Sequence, residues 1–162
     1  MGVFISQGGP VISTASLKPT VCASFVYDVD YEITIQWKGE CVAIETACIA
    51  NKVFCVPRGD YRRIIVNVTD ANGDAIDISG FTNVEYVIAA DVNSSPVISK
   101  SLGSGIVIGG DNASFVITLT ESDTQLVPRD YSYQECRLTN GSEGQTIFAG
   151  FFRSPDTILG TD

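Results

Sequence analysis

The sequence predicts an all-β protein: an antiparallel β-sandwich preceded by a small β subdomain and an extended arm. Hydrophobic residues make up 44% of the chain and charged residues only 18%, and Val, Ile, Thr, Ser and Gly dominate, which favours strands and turns over helices. Short segments with apolar residues at a period of two recur along the chain. Gly, Asn, Asp and Pro separate them about every 8–12 residues, a spacing typical of a sandwich.

The alternation is clearest in residues 60–78. Ile64, Val66 and Val68 are spaced by two, as in a strand with one buried face. The Asn-Gly pair at 72–73 tolerates positive φ at both positions, which suits a tight hairpin turn. Ile76 and Ile78 then continue the alternation, so a second strand is predicted after the turn.

Residues 1–20 are predicted to form an extended arm without a core of its own. Gly, Pro, Ser and Thr are mixed there with five apolar residues that we expect to dock on a neighbouring subunit, because a purely solvated arm would not carry them: Val3, Phe4, Ile5, Val11 and Ile12. The alternative is a frayed terminus.

Residues 21–58 are predicted to form a small N-terminal β subdomain of three or four short strands. One strand spans 31–37 and ends in Trp37, the only tryptophan, which is expected to be a core residue. So few strands make a marginal core, so we expect this part to pack on the second domain or on another subunit. Pro57 and Gly59 flank a joint between the two parts.

Residues 59–154 are predicted to be the sandwich, and 155–162 a C-terminal tail. A short helical turn is expected over 121–127, capped by Thr120 or Ser122 and stopped by Pro128. Besides the 60–78 hairpin, strands are expected at 83–90, at 97–102 on an edge, at 106–108, at 113–120, and at 131–138 with 145–153 as a closing hairpin.

Tyr131 sharpens the prediction of the fold. It starts a late strand just after the corner around Pro128. A tyrosine whose hydroxyl bonds back to such a corner is typical of immunoglobulin-like sandwiches. The sequence therefore predicts an immunoglobulin-like antiparallel β-sandwich, and the alternative is a tyrosine that merely packs.

The chain has five cysteines, Cys22, Cys41, Cys48, Cys55 and Cys136. None is in a CxxC pair and there is no His, so a zinc site is not expected. Two interpretations remain open. The cysteines are buried free thiols, or some of them form disulfides within or between subunits in an oxidising medium.

Charge and motifs exclude several function classes. The net charge is −9, which disfavours binding to nucleic acid or to an anionic membrane, and no segment is long and apolar enough to span a bilayer. Without His, and without a G-x-S-x-G, P-loop or paired-carboxylate motif, no enzymatic activity and no cofactor are expected.

The start of the chain lacks the features of a secretory signal, so four Asn-x-Ser/Thr triplets are not expected to be glycosylated. The acidic residues of 70–77 do not match a calcium loop, because Phe81 stands where its bidentate Glu should be.

The order of features from Gly59 to Arg153 resembles an immunoglobulin-like module of tailed-bacteriophage structural proteins. The matching segments are DANGDAIDISG at 70–80, TLT at 118–120 before the acidic corner 121–128, YSY at 131–133, and GFF at 150–152. The resemblance covers about 95 residues and does not include residues 1–58.

This resemblance implies a virion structural protein, assembled in many copies at the capsid surface, the neck or collar, or the tail. Its partners would be other virion proteins and copies of itself, and it would be assembled in the host cytoplasm. The N-terminal part would hold subunits together. The alternative is a sandwich that binds a host surface or carbohydrate; because most aromatic residues fall at strand positions rather than in loops, the structural role is favoured.

Overall fold

The structure is a computed structural model, and it describes residues 30–36, 50–51, 53–129 and 131–156. The expectations for the arm residues Val3, Phe4, Ile5, Val11 and Ile12, for Cys22, Cys41 and Cys48, for Trp37 and for residues 157–162 lie outside the described residues.

The described part of the chain contains ten strands and one short helix. The strands are β1 Asp30–Gln36, β2 Ala50–Asn51, β3 Phe54–Cys55, β4 Arg62–Thr69, β5 Asn83–Ala89, β6 Pro96–Leu102, β7 Gly105–Ile108, β8 Ser114–Leu119, β9 Tyr131–Asn140 and β10 Glu143–Arg153, and the helix is α1 Glu121–Leu126. The predicted all-β class is confirmed.

All ten strands belong to one hydrogen-bonded sheet, in the order β1-β4-β8-β7-β6-β5-β9-β10-β2, with β3 also on β10. Most neighbours are antiparallel. The parallel pairs are β1 with β4, β6 with β7, and β2 and β3 with β10. Strands from residues 30–55, within the predicted N-terminal subdomain, thus lie at both ends of the strand order.

The sheet curls so that its two halves share one core. Side chains from β4 and β8 in one half and from β5, β9 and β10 in the other form a single buried cluster, and its largest members include Tyr86, Phe115, Phe148 and Phe152. The sequence predicted a sandwich, which normally consists of two separate sheets; here the two halves remain connected by hydrogen bonds between β6 and β7.

The connection between β6 and β7 is a sideways step of the chain. Ser101 and Leu102 pair in parallel with Gly105 and Ile106, and only two residues separate the strands. Gly103 and Gly105 have φ of 81° and 87°, a region that side chains with a Cβ rarely adopt. β6 pairs with β5 along most of its length and with β7 only at Ser101 and Leu102. Most of β6 therefore has the one-sided pairing of the edge strand that was expected.

The predicted alternation in β4 is confirmed. Ile64, Val66 and Val68 are buried, whereas Arg63 faces solvent and Ile65 is half-buried. The second strand expected at Ile76 and Ile78 does not form. Asp70 accepts backbone N–H groups across the turn. The pairing back to β4 consists of one isolated bridge between Thr69 and Ala75, with the Ile76 N–H donating to the Val68 carbonyl oxygen, and Ile78 then turns into the core.

The closing hairpin is tighter than predicted. β9 continues to Asn140 and β10 starts at Glu143, so only Gly141 and Ser142 connect them, with Gly141 at φ 63°. The helical turn is confirmed at Glu121–Leu126. Thr120 is its N-cap and forms a capping box with Asp123.

Candidate interaction surface

The acidic side chains of the turns bind their own backbone. The carboxylate of Asp70 accepts hydrogen bonds from the N–H groups of Asn72, at 2.7 Å, and Asp74, at 2.9 Å. The hydrogen bonds from the Asp74 and Asn72 backbone hold the pKa of Asp70 below its usual value. These carboxylates thus stabilise turns.

Three other turns repeat this arrangement. Asp77 accepts from Ser79, Asp91 from Asn93 and Ser94, and Asp111 from Ala113 and Ser114. Each of these hydrogen-bond sets lowers the pKa of its aspartate. Within the described ranges, no group of three or more Cys, Asp or Glu side chains is arranged to hold a metal ion.

The segment predicted to be a joint is fixed to α1. The guanidinium of Arg58 donates to the carbonyl oxygens of Val127 and Gln125 and lies 3.3 Å from a carboxylate oxygen of Asp156. The Gly59 N–H donates to the Thr124 hydroxyl at 3.0 Å. Residues 57–60 are therefore bound to the corner at α1.

A salt bridge joins α1 to β6. The Lys100 ammonium lies 2.7 Å from Asp123, and both side chains are mostly buried. Burial acts to raise the pKa of Asp123, but the hydrogen bonds from Lys100 and Thr120 outweigh it and hold that pKa below its usual value.

Three polar side chains, those of Tyr86, Gln134 and Cys136, lie in the core between β5 and β9. The Tyr86 hydroxyl donates to the Gln134 carbonyl oxygen at 2.7 Å, and burial raises the pKa of Tyr86 well above its usual value. Cys136 is a free, fully buried thiol, and burial raises its pKa as well. Such a thiol is a poor nucleophile. Cys136 therefore packs in the core as a small hydrophobic side chain.

Of the other predicted site residues, Cys55 is half-buried in β3, and its carbonyl oxygen accepts a hydrogen bond from the Tyr31 hydroxyl. Tyr131 begins β9, as predicted. It is half-buried, and its ring lies 6.1 Å from that of Phe151, edge to face. Cys136 forms no disulfide, because its thiol is free and buried, as the alternative of buried free thiols had it. The disulfides of the other cysteines and the tyrosine corner stay predictions.

Tyr131 belongs to a group of aromatic rings on the outward side of the sheet. Ser132 and Gln134 of β9 point into the core, so Tyr131 and Tyr133 point outward. Tyr133 is the register partner of Phe151, and their ring centroids are 4.9 Å apart.

Val53 extends this group across β3. It precedes Phe54, the register partner of Phe152, so Val53 lies beside Phe151 on the outward side, where it is 43% exposed. We call Val53, Tyr131, Tyr133 and Phe151 the outer aromatic patch. The sequence contained the signal for it, because the YSY and GFF segments place these rings at alternate strand positions, but only the register brings them together.

A smaller apolar row lies on the outward side of the other half of the sheet. Val116 is the register partner of both Ile65 and Val107, and Val107 is 65% exposed. We call Ile65, Val107 and Val116 the outer aliphatic row. It contains no aromatic ring.

Comparisons with known proteins leave the family of this chain open. No family model matches it, and no curated protein does. A solved structure of the N-terminal domain of phage TP901-1 ORF48 is similar at 14% identity and a TM-score of 0.43, covering 78% of this chain and 98% of that one. No helix in the described residues is long and apolar enough to cross a membrane.

Proposed function

We propose that this protein is a structural protein of a tailed-bacteriophage virion, present in many copies at the capsid surface, neck or tail. In this role its N-terminal part holds neighbouring subunits together. The proposal starts from the sequence resemblance of residues 59–153 to the phage module.

The position of the N-terminal strands is the observation that best supports it. β1 pairs with β4 at one edge of the sheet, and β2 and β3 pair with β10 at the other edge. These are the two ends of the strand order, so residues leading to and from these strands start at the periphery of the sheet. A segment placed there can reach a neighbouring subunit without disturbing the core.

The distribution of aromatic rings favours an assembly role over carbohydrate binding. Tyr86, Phe115, Phe148 and Phe152 are completely buried, and the turns at 70–74, 91–95, 109–112 and 141–142 contain no aromatic residue. Of the aromatic residues in the other described connections, Phe81 packs against the core and Tyr61 is exposed. Carbohydrate-binding sandwiches usually present aromatic residues on loops. Reproducible binding of the protein to a glycan array would favour the alternative and count against the structural role.

The experiment compares the full chain with a chain lacking residues 1–20. We expect the full chain to self-associate in light scattering after size exclusion, and the shortened chain to be monomeric with an unchanged circular dichroism spectrum. A full chain that stays monomeric at high micromolar concentration, or a deletion that leaves the association unchanged, would overturn the proposed role of the N-terminal part.

A further inference from the structure

The chain contains two Asn-Gly pairs, Asn72-Gly73 and Asn140-Gly141. In such a pair the main-chain nitrogen of the glycine can attack the side-chain amide of the asparagine, because glycine has no Cβ to hinder the approach. Asparagine therefore counts among the chemically labile residues of proteins. By sequence alone the two pairs should react at similar rates, so a difference between them has to come from the fold.

Asp70 binds both reacting groups of the first pair. Its main-chain carbonyl oxygen accepts the Gly73 N–H at 3.1 Å, so the attacking nitrogen is already engaged. Its carboxylate accepts the main-chain N–H of Asn72 at 2.7 Å and the side-chain amide N–H of Asn72 at 3.3 Å, so the amide is held as well. The negative charge of this carboxylate also disfavours loss of the proton from the Gly73 nitrogen. All three contacts protect Asn72.

The second pair lacks this protection. Asn140 is exposed at the end of β9, and within the described part of the chain its side-chain amide makes no hydrogen bond. The N–H of Gly141 donates to the hydroxyl of Thr82 at 3.1 Å, and Thr82 is itself exposed, so water can replace this acceptor. Glu143 is the register partner of Asn140, but among the described residues its carboxylate makes no hydrogen bond to this pair.

We propose that Asn140 is a modification site, at which water converts the asparagine to aspartate and isoaspartate, and that Asp70 protects Asn72 from the same reaction. The Gly141 nitrogen gives its proton to hydroxide and bonds to Cγ of Asn140. The Cγ–Nδ2 bond breaks, and Nδ2 takes a proton from water and leaves as ammonia, which regenerates the hydroxide. One water molecule then opens the succinimide, at Cγ to give aspartate or at the main-chain carbonyl carbon to give isoaspartate.

The reaction changes the tip of the closing hairpin. Both products carry a new negative charge at position 140, opposite Glu143. Isoaspartate also adds a methylene carbon to the main chain, next to a connection that consists of Gly141 and Ser142 alone. The modified hairpin therefore differs from the original in charge and in main-chain length.

Incubation of the full chain in mildly alkaline buffer, made with water enriched in 18O, tests the site. Each reaction incorporates an oxygen atom from water, so peptide mass spectrometry measures the labelled product at each asparagine over time. We expect Asn140 to react at least fivefold faster than Asn72. Equal rates, or a faster reaction at Asn72, would overturn the proposal.

Two controls separate the fold from the sequence. In the chain unfolded in guanidinium chloride the two pairs should react at rates within twofold of each other; a preference for Asn140 that persists there would show that the fold is not its cause. In the folded chain, Asp70→Ala should raise the rate at Asn72 at least threefold and leave the rate at Asn140 unchanged, with circular dichroism to verify that the variant is folded. An unchanged rate at Asn72 would overturn the protective role of Asp70.

Discussion

The hydroxyl of Tyr31 donates a 2.6 Å hydrogen bond to the carbonyl oxygen of Cys55. Tyr31 lies in β1 and Cys55 in β3, at opposite ends of the strand order. The Tyr31 ring also lies 5.6 Å from that of Phe54, which in turn contacts Phe148. Side chains therefore join the two borders of the curled sheet.

Tyr31→Phe should lower the free energy of unfolding by about 1 kcal/mol, because the ring contact with Phe54 remains and only the hydrogen bond is lost. Urea denaturation measures the difference. Tyr61→Phe is the control, since Tyr61 is 41% exposed, and we expect its effect to be within about 0.5 kcal/mol. Equal effects of the two substitutions would show that the hydrogen bond does not stabilise the fold.

Arg58→Lys should destabilise the protein by about 1–3 kcal/mol. A lysine is a single point donor, so it cannot satisfy the carbonyl oxygens of both Val127 and Gln125 in the geometry of the guanidinium. Arg129→Lys is the control, because Arg129 is 74% exposed and lies 3.4 Å from Asp156, as in a surface salt bridge of small effect. Guanidinium denaturation should show a clear shift for Arg58 and almost none for Arg129.

Gly105→Ala should destabilise the protein more than Gly103→Ala. Both glycines have positive φ, near 81° and 87°, which costs a residue with a Cβ about 1–2 kcal/mol. A Cβ at Gly105 would also lie 2.6 Å from Cδ of Lys100, whereas a Cβ at Gly103 meets nothing within 4 Å. Because the salt bridge to Asp123 fixes Lys100, the side chain cannot move away without losing it.

The comparison is made by thermal melting, with Lys100→Ala as a second background. There the steric part of the Gly105→Ala effect should disappear, and the two glycine substitutions should become similar. A difference that persists without Lys100 would contradict the predicted clash.

Acid should weaken the fold through the turn aspartates. The folded-state pKa values of Asp70, Asp77, Asp91 and Asp111 are lowered by hydrogen bonds, so in acid the unfolded chain binds more protons than the folded one. Their stabilising effect is complete above the unfolded value of about 4 and is lost as the pH falls through the lower folded values. The midpoint of thermal unfolding should therefore drop below about pH 4.

Asp70→Asn removes one of these titrations and should flatten the dependence of the melting temperature on pH. Glu85→Gln is the matched control for the removal of one carboxylate, because Glu85 is exposed in β5. An identical slope for Asp70→Asn and the unmodified protein would argue against a role for the Asp70 turn.

Local patterns in the sequence predicted most of the strands but not how they join. The spacing of Ile64, Val66 and Val68 and the cap at Thr120 depend on neighbouring residues, and both are confirmed. The parallel pairing of β1 with β4 brings together Asp30 and Arg63, which are far apart in sequence, and no periodicity encodes such a pairing. Ile76 and Ile78 have the spacing of a strand, but Ile78 is needed in the core.

For the candidate surface too, local patterns could be predicted from the sequence, and contacts that depend on strand pairing could not. Alternation alone places Tyr131 and Tyr133 on one side of β9, whereas their contact with Phe151 depends on the register between β9 and β10. The sequence drew attention to Tyr131 for a corner hydrogen bond. The structure adds Tyr133, Phe151 and Val53 to it as parts of one surface.

The strands at the two borders of the sheet also bear on edge-to-edge aggregation, because they pair with strands that would otherwise be edges. β1 pairs with the amide and carbonyl row of β4 along residues 63–69, and β2 and β3 pair with that of β10 at residues 148–149 and 152–153. A proteolytic product that begins after residue 56 would leave both rows open to edge-to-edge pairing with other chains. We expect such a fragment to form fibres or amorphous deposits, because its exposed strand edges can pair with other chains.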